Sequence, residues 1–144
     1  MFEFESHRDN PTNLLEILER FTRFWAYTLK DDEAYGVSDE RLALVELPKP
    51  LRTLYRFAGS LENIFSHQDR LVPFECLQTD NGKLIFVWEN QGVWSIATEM
   101  TGDDPNVYIK EDGDDYELLD SSLARFIVTF CLHEMVFGLS LIHI

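Results

Sequence analysis

Residues 83–98 read KLIFVWENQGVWSIAT, and this stretch decides the fold. Two apolar runs, Leu84-Ile85-Phe86-Val87-Trp88 and Val93-Trp94-Ser95-Ile96-Ala97, flank the polar turn Glu89-Asn90-Gln91-Gly92. Aromatic and β-branched residues bounded by Asn and Gly predict a β-hairpin. Gly92 suits the left-handed position that closes a three- or four-residue hairpin loop. With Trp at both shoulders, the hairpin is expected at the centre of the sheet and core, with both tryptophans mostly buried.

Outward from the hairpin, Asp80-Asn81-Gly82 is a strong turn signal on the N-terminal side. Before it, Leu71-Val72-Pro73-Phe74 reads as a short extended piece, and residues 74–78 as a brief strand or turn. On the C-terminal side, residues 101–105 (TGDDP) form a loop. Val107-Tyr108-Ile109 and Tyr116-Glu117-Leu118 flank Glu111-Asp112-Gly113-Asp114 as a second hairpin. Asp120 or Ser121 then caps a last helix running from Ser122 to about Phe137. That helix is apolar almost all round, which predicts burial against the sheet.

The N-terminal third reads as helical. Asn10-Pro11 suits a helix start. Leu14, Ile17, Leu18, Phe21, Phe24, Trp25 and Thr28 recur at helical spacing as far as Lys30, opposite Glu16, Glu19, Arg20 and Arg23. Ser38 is an expected N-cap for a short second helix, with Asp39 and Glu40 in its first turn. Leu47-Pro48-Lys49-Pro50 breaks that helix. Pro50 opens a third, with Leu51, Leu54, Tyr55 and Ala58 on its apolar face and Gly59 as its stop. Helices, an antiparallel meander and a closing helix make a single α+β domain over residues 1–138. The final LSLIHI, residues 139–144, matches one reading frame of a common transposon-based sequencing adaptor. It is read as a non-native tail, with the natural protein continuing past Gly138.

Bulk composition narrows the function. The chain has 144 residues, 45% of them hydrophobic and 13% aromatic, with a formal net charge of −14. This is enough apolar material for one well-packed core. The acidic balance disfavours binding to a nucleic-acid backbone or an anionic membrane and favours a basic protein partner. There is no secretory leader pattern and no apolar run of membrane-spanning length, so a cytoplasmic location is expected. Cys76 and Cys131 sit in apolar sequence surroundings and read as buried thiols of a reducing compartment.

Chemical motifs are weak. His133-Glu134 opens a zinc-protease-like HExxH, but Phe137 stands where the second histidine belongs. No phosphate-cradling loop, nucleophile elbow or paired CxxC is visible, and Asp112-Gly113-Asp114 lacks the spaced ligands of a calcium loop. No enzyme activity, cofactor or metal is expected. The leading polar feature is acidic. Asp103, Asp104, Glu111, Asp112, Asp114, Asp115 and Glu117 accompany one base, Lys110. Such a run is either a partner-binding surface or a solvated face.

Three stretches resemble a known family. Residues 47–59, LPKPLRTLYRFAG, resemble the LP…L..LY…G segment of the SUKH superfamily, the group containing the yeast Smi/Knr cell-wall regulator. Glu89-Asn90-Gln91-Gly92-Val93-Trp94 resembles the hairpin turn of bacterial members. Residues 132–138, LHEMVFG, resemble their closing helix, with Met135 where Ala is expected. Together they span roughly residues 40–138. Glu89, Asn90, Gln91, Gly92 and Trp94 are the markers in the turn. The resemblance implies an α+β fold with helices packed on a mostly antiparallel sheet. For bacterial members it implies an immunity protein that neutralises a cognate toxin, often a nuclease-type effector of a polymorphic toxin system. The family offers no catalytic motif to carry over. Charge adds that the toxin is expected to be basic. A regulatory interaction module without a toxin is the alternative. An enzyme using Cys76, Cys131 or a carboxylate would require a pocket at those residues.

Overall fold

The computed structural model describes residues 16–17, 36–58, 69–111 and 113–142, with the backbone alone at residue 58 and residues 135–142. The expected first helix is represented by Glu16 and Ile17, both helical, with Glu16 exposed and Ile17 buried as their spacing requires. The rest of that helix, Gly59, and Asp112 in the second hairpin lie outside the described residues.

Ser38 caps α1, Asp39–Leu42, its side chain accepting from Arg41 N at 3.3 Å. Helix α2, Lys49–Ala58, begins one residue earlier than Pro50. Its apolar face buries Leu51, Leu54 and Tyr55 completely. Gly36 lies where α2 ends. A Cβ there would sit 1.5 Å from the Arg56 carbonyl oxygen, so only glycine allows this approach.

Six strands follow: β1 Arg70–Leu71, β2 Gln78–Asp80, β3 Lys83–Trp88, β4 Trp94–Glu99, β5 Asn106–Glu111 and β6 Glu117–Ser122. They form one antiparallel sheet in the order β1-β3-β4-β5-β6, with β2 also paired to β3. Residues 74–76, between β1 and β2, form a 3-10 turn. Asn81 and Gly82 both adopt positive φ, 51° and 78°, which makes the β2–β3 connection a two-residue hairpin whose twist matches the strands. The last helix, α3, spans Leu123–Ile142. It begins one residue after the Ser122 start expected from sequence and continues past the expected end near Phe137. The fold is therefore α+β, a mostly antiparallel sheet with a C-terminal helix packed on it.

The 83–98 hairpin is central, and it contains a bulge. Ile85 pairs with Ala97 but Val87 pairs with Ile96, leaving Phe86 as the extra residue. Strict alternation would send Phe86 and Val87 to opposite faces. The bulge lets both enter the core, where they are 1% and 0% exposed. Phe86 meets Phe126 of α3 edge to face at 5.7 Å between centroids, and Phe126 stacks on Phe130 at 6.2 Å.

Trp88 and Trp94 are mostly buried, as expected, Trp88 on the face opposite α3 and Trp94 at a strand end. Helix α3 is largely buried among its described side chains, as expected, with Arg125, Thr129 and His133 forming one exposed stripe four residues apart. Its expected cap is corrected. Neither Asp120 nor Ser121 caps it. Both belong to β6, and the N-terminus of α3 is closed by Ser122 Oγ, accepting from Arg125 N, and by Asp104, accepting from Ala124 N at 2.8 Å.

Candidate functional site

The acidic run is contiguous in sequence and divided in space. Strand β5 carries it from one end of the sheet to the other. Asp103 and Asp104 lie in the β4–β5 loop, beside the starts of both helices: Lys49 N donates to Gly102 O at 3.1 Å, and Leu123 N to Pro105 O at 2.9 Å. Asp103 is exposed there, while Asp104 is committed to the cap of α3. Glu111, Asp114, Asp115 and Glu117 lie at the opposite end, around the β5–β6 turn, and all four are exposed. Asp114 N closes that turn on Glu111 O at 3.0 Å. No ion pair among the described residues involves these four carboxylates.

The β3–β4 turn sits at the same end. Glu89 builds it: one carboxylate oxygen accepts from Gln91 N at 3.1 Å and Val93 N at 2.8 Å. The Glu89 backbone completes the loop, accepting from Gly92 N and donating to Trp94 O. Gly92 has φ of 75°, the left-handed conformation expected of it. The turn is tied to the closing helix through Asp69, whose carboxylate accepts from Asn90 N at 3.4 Å while its own N–H donates to Glu134 Oε1 at 3.1 Å. Glu134 is fully buried and its neighbour His133 is exposed, with His133 Nε2 3.9 Å from Glu134 Oε2. The 47–59 segment joins the same frame. Arg52 donates to the carbonyls of Leu42 and Val45, and the Tyr55 hydroxyl donates to Val72 O. Burial, reinforced by the negative charge of Glu75, raises the pKa of that hydroxyl far above the ordinary range. Glu89, Asn90, Tyr55 and Glu134 thus hold elements together.

A polar cluster that motif reading missed lies on the face opposite α3. Asp80 on β2 pairs with Lys110 on β5 at 2.8 Å and accepts from the Tyr116 hydroxyl at 2.9 Å. In a flat sheet β3 and β4 would separate β2 from β5 by about 14 Å. Direct contact requires the sheet to curl, so this face is concave. Its floor is Ala97, with no exposed surface. Lys83 Nζ lies 4.4 Å from the Tyr108 ring centroid and 5.7 Å from that of Tyr116, and Lys110 Nζ lies 5.2 Å from Tyr116. The hydrogen bond from Lys110, then that from Tyr116, holds Asp80 below the ordinary carboxylate range. Burial, then the bond to Asp80, pushes Tyr116 up to about 12. The Glu99 carboxylate, accepting from the Tyr108 hydroxyl at 3.0 Å, raises Tyr108. The sequence did carry a signal: Tyr108 and Lys110 alternate onto one face of β5, as do Lys83 and Ile85 on β3.

Where this concave face meets the turn end, a shallow groove of about 280 Å³ opens, lined by Asp80, Ile85, Trp88, Gly92, Val93, Trp94, Ser95, Lys110 and Glu111. Val93, in the turn, is 51% exposed. Glu111 is the cross-strand partner of Trp94. Its lining includes Gly92 and Trp94 of the turn markers and Glu111 of the acidic run.

The cysteines differ from each other. Cys131 is buried as expected, and burial, with the charge of Glu134 adding to it, raises its pKa strongly. Cys76 is exposed, contrary to expectation. It ends the 3-10 turn, where Phe74 takes the inward position. Among the described residues no group of three His, Cys, Asp or Glu side chains could hold a metal ion, and no helix is long and apolar enough to cross a membrane. No family model matches the chain, and neither does a curated protein or a solved structure.

Proposed function

We propose that the chain is an immunity protein of a polymorphic toxin system, binding its cognate toxin in the cytoplasm and neutralising it by occupation without chemistry. The toxin is a basic, nuclease-type effector. The observation that carries the reading is electrostatic: a net charge of −14, with Glu111, Asp114, Asp115 and Glu117 held outward at one end of the sheet. Carboxylates crowded onto one surface repel one another, and a basic partner relieves that repulsion while hastening encounter. The resemblance of residues 47–59, 89–94 and 132–138 to the SUKH superfamily supports the same reading.

The test is co-expression with the product of the gene adjacent to this one. Protection of the host from that product, with recovery of a stoichiometric complex, is the expected result. Host death with no complex, or no toxin gene in the neighbourhood, would leave a regulatory interaction module as the better account.

A further inference from the structure

We infer that β6 is a docking strand, whose free edge adds an extended basic segment of a protein partner as a further strand of the sheet. This deepens the immunity reading and rests on it for the partner's identity, the toxin. Among the described residues β6 pairs on one side only, with β5. Every second N–H and C=O along it therefore points away from the sheet, a template for another chain. The opposite border is blunted by length: β1 has two residues and β2 three, against six in β6. No lysine or proline guards β6. Asn106 pairs with Ser122 and Val107 with Leu119, so Asp120 and Ser121 bulge out and residues 117–119 are the regular run. Leu118, in that run, is 63% exposed, and a groove of about 470 Å³ is lined by residues 118–122 and by Arg125 at the start of α3.

Charge and register select the occupant. From residue 113 to residue 122 the chain carries Asp114, Asp115, Glu117 and Asp120 and no base, and all four acids are exposed. Like charges facing each other across a strand pair destabilise it and opposite charges stabilise it. The edge therefore opposes a second copy of this chain, with its net charge of −14, and favours a basic segment. Arg125, the one cation in the groove lining, lies past the bulge. The pleat refines the match. Leu119 pairs with buried Val107 on the α3 side, and Leu118 pairs with Tyr108 on the concave side. Glu117 then shares the α3 side with Leu119. An incoming strand that alternates basic and apolar residues places a cation beside Glu117 and an apolar group beside Leu118. A nucleic-acid backbone brings neither amides nor positive charge.

The probe is acetyl-KVKVKV-amide, titrated into ¹⁵N-labelled protein with hydrogen exchange read at each amide. The controls are acetyl-EVEVEV-amide and a KVKVKV peptide N-methylated at every backbone amide, which keeps the charge and removes every backbone donor. The amides of residues 117–119 are expected to shift most with the lysine peptide, and those pointing away from β5 to exchange about tenfold more slowly. Neither control should move them. Glu117→Lys is expected to weaken binding about tenfold, and Leu118→Ser about threefold. Both side chains are exposed, and native amide dispersion confirms that each variant is folded. Equal binding of the N-methylated peptide, or unchanged affinity in Glu117→Lys, would overturn the docking strand. So would outward amides already protected in the free protein, since the chain itself would then cover the edge. Sedimentation as a dimer that Leu118→Ser dissociates would overturn it too, the occupant being a second copy. The co-expressed toxin separates the two claims. Lysine-peptide addition at β6 without toxin binding sinks the immunity reading alone. Toxin binding that leaves the β6 amides unprotected and is unchanged in Leu118→Ser sinks the docking strand alone.

Discussion

The two ends of the sheet carry the same kind of residue and use it differently. At the helix-bearing end, Asp104 is spent on the first turn of α3, and the neighbouring carbonyls of Gly102 and Pro105 accept from the starts of α2 and α3. At the turn-bearing end, Glu89 is absorbed into its own loop, but Glu111, Asp114, Asp115 and Glu117 face solvent around mostly buried tryptophans. Acidity by itself therefore distinguishes nothing. What differs is whether a carboxylate has an internal N–H to accept from. Substitutions should separate stability from binding along the same division.

The largest effect is expected beside the helices. Gly36→Ala drives a methyl into the Arg56 carbonyl at the end of α2, a clash that backbone shifts must relieve. A loss of about 3 kcal/mol is expected, read as a lower urea midpoint. Full stability in that variant would mean that residue 36 stands away from α2. Next comes Asp104→Ala, which removes an N-terminal cap and its favourable charge at the start of α3. About 1 kcal/mol should be lost, and Asp104→Asn should restore most of it. If Asp104→Ala matched wild type, the two ends would not differ in the way proposed.

The sequence was most legible where a local rule had a single solution. Ser38 before Asp39 and Glu40, the Asn81-Gly82 turn and Gly92 were each read from backbone chemistry and found in place. It was less legible where a long-range contact decided. Asp104 caps a helix 20 residues away, which displaced Asp120 and Ser121 from that role. The Phe86 bulge depends on what α3 offers on the facing side, so Phe86 and Val87 could not both be placed in the core from alternation alone. The acidic run looked like one cluster because sequence distance hides a strand. Six residues of β5 are short in sequence but span about 17 Å in an extended strand. The candidate groove escaped notice for the converse reason. Its walls come from β3, β4 and β5, and only the register places Glu111 against Trp94.

A smaller effect lies between the two ends, in the cluster of Asp80, Lys110 and Tyr116. Asp80 has a folded-state pKa below its ordinary value, so its contribution is present above the unfolded pKa near 3.8 and is lost as pH falls through the folded value. Asp80→Asn should therefore be less stable than wild type at neutral pH and converge on it in acid. Parallel urea denaturation curves at pH 7 and pH 3 test this. A constant gap across that interval would mean that the carboxylate charge is irrelevant to the curl of the sheet.

The smallest change in folding is expected where the largest change in binding is proposed. Asp114→Lys and Asp115→Lys lie on an exposed turn, and each should alter stability by no more than about 0.5 kcal/mol. Removing local repulsion could even raise it slightly. Capture of the basic partner should slow, and the difference from wild type should shrink as salt screens the surface beyond a Debye length of about 8 Å. Stopped-flow association at two ionic strengths measures this directly. The same reversal at Asp103, exposed at the other end, provides the control. If Asp103→Lys slows capture as much as Asp114→Lys, the encounter is steered by net charge and not by the turn-bearing end. A slowing confined to Asp114 and Asp115 would locate the encounter there, because the two substitutions change the total charge equally and differ only in place.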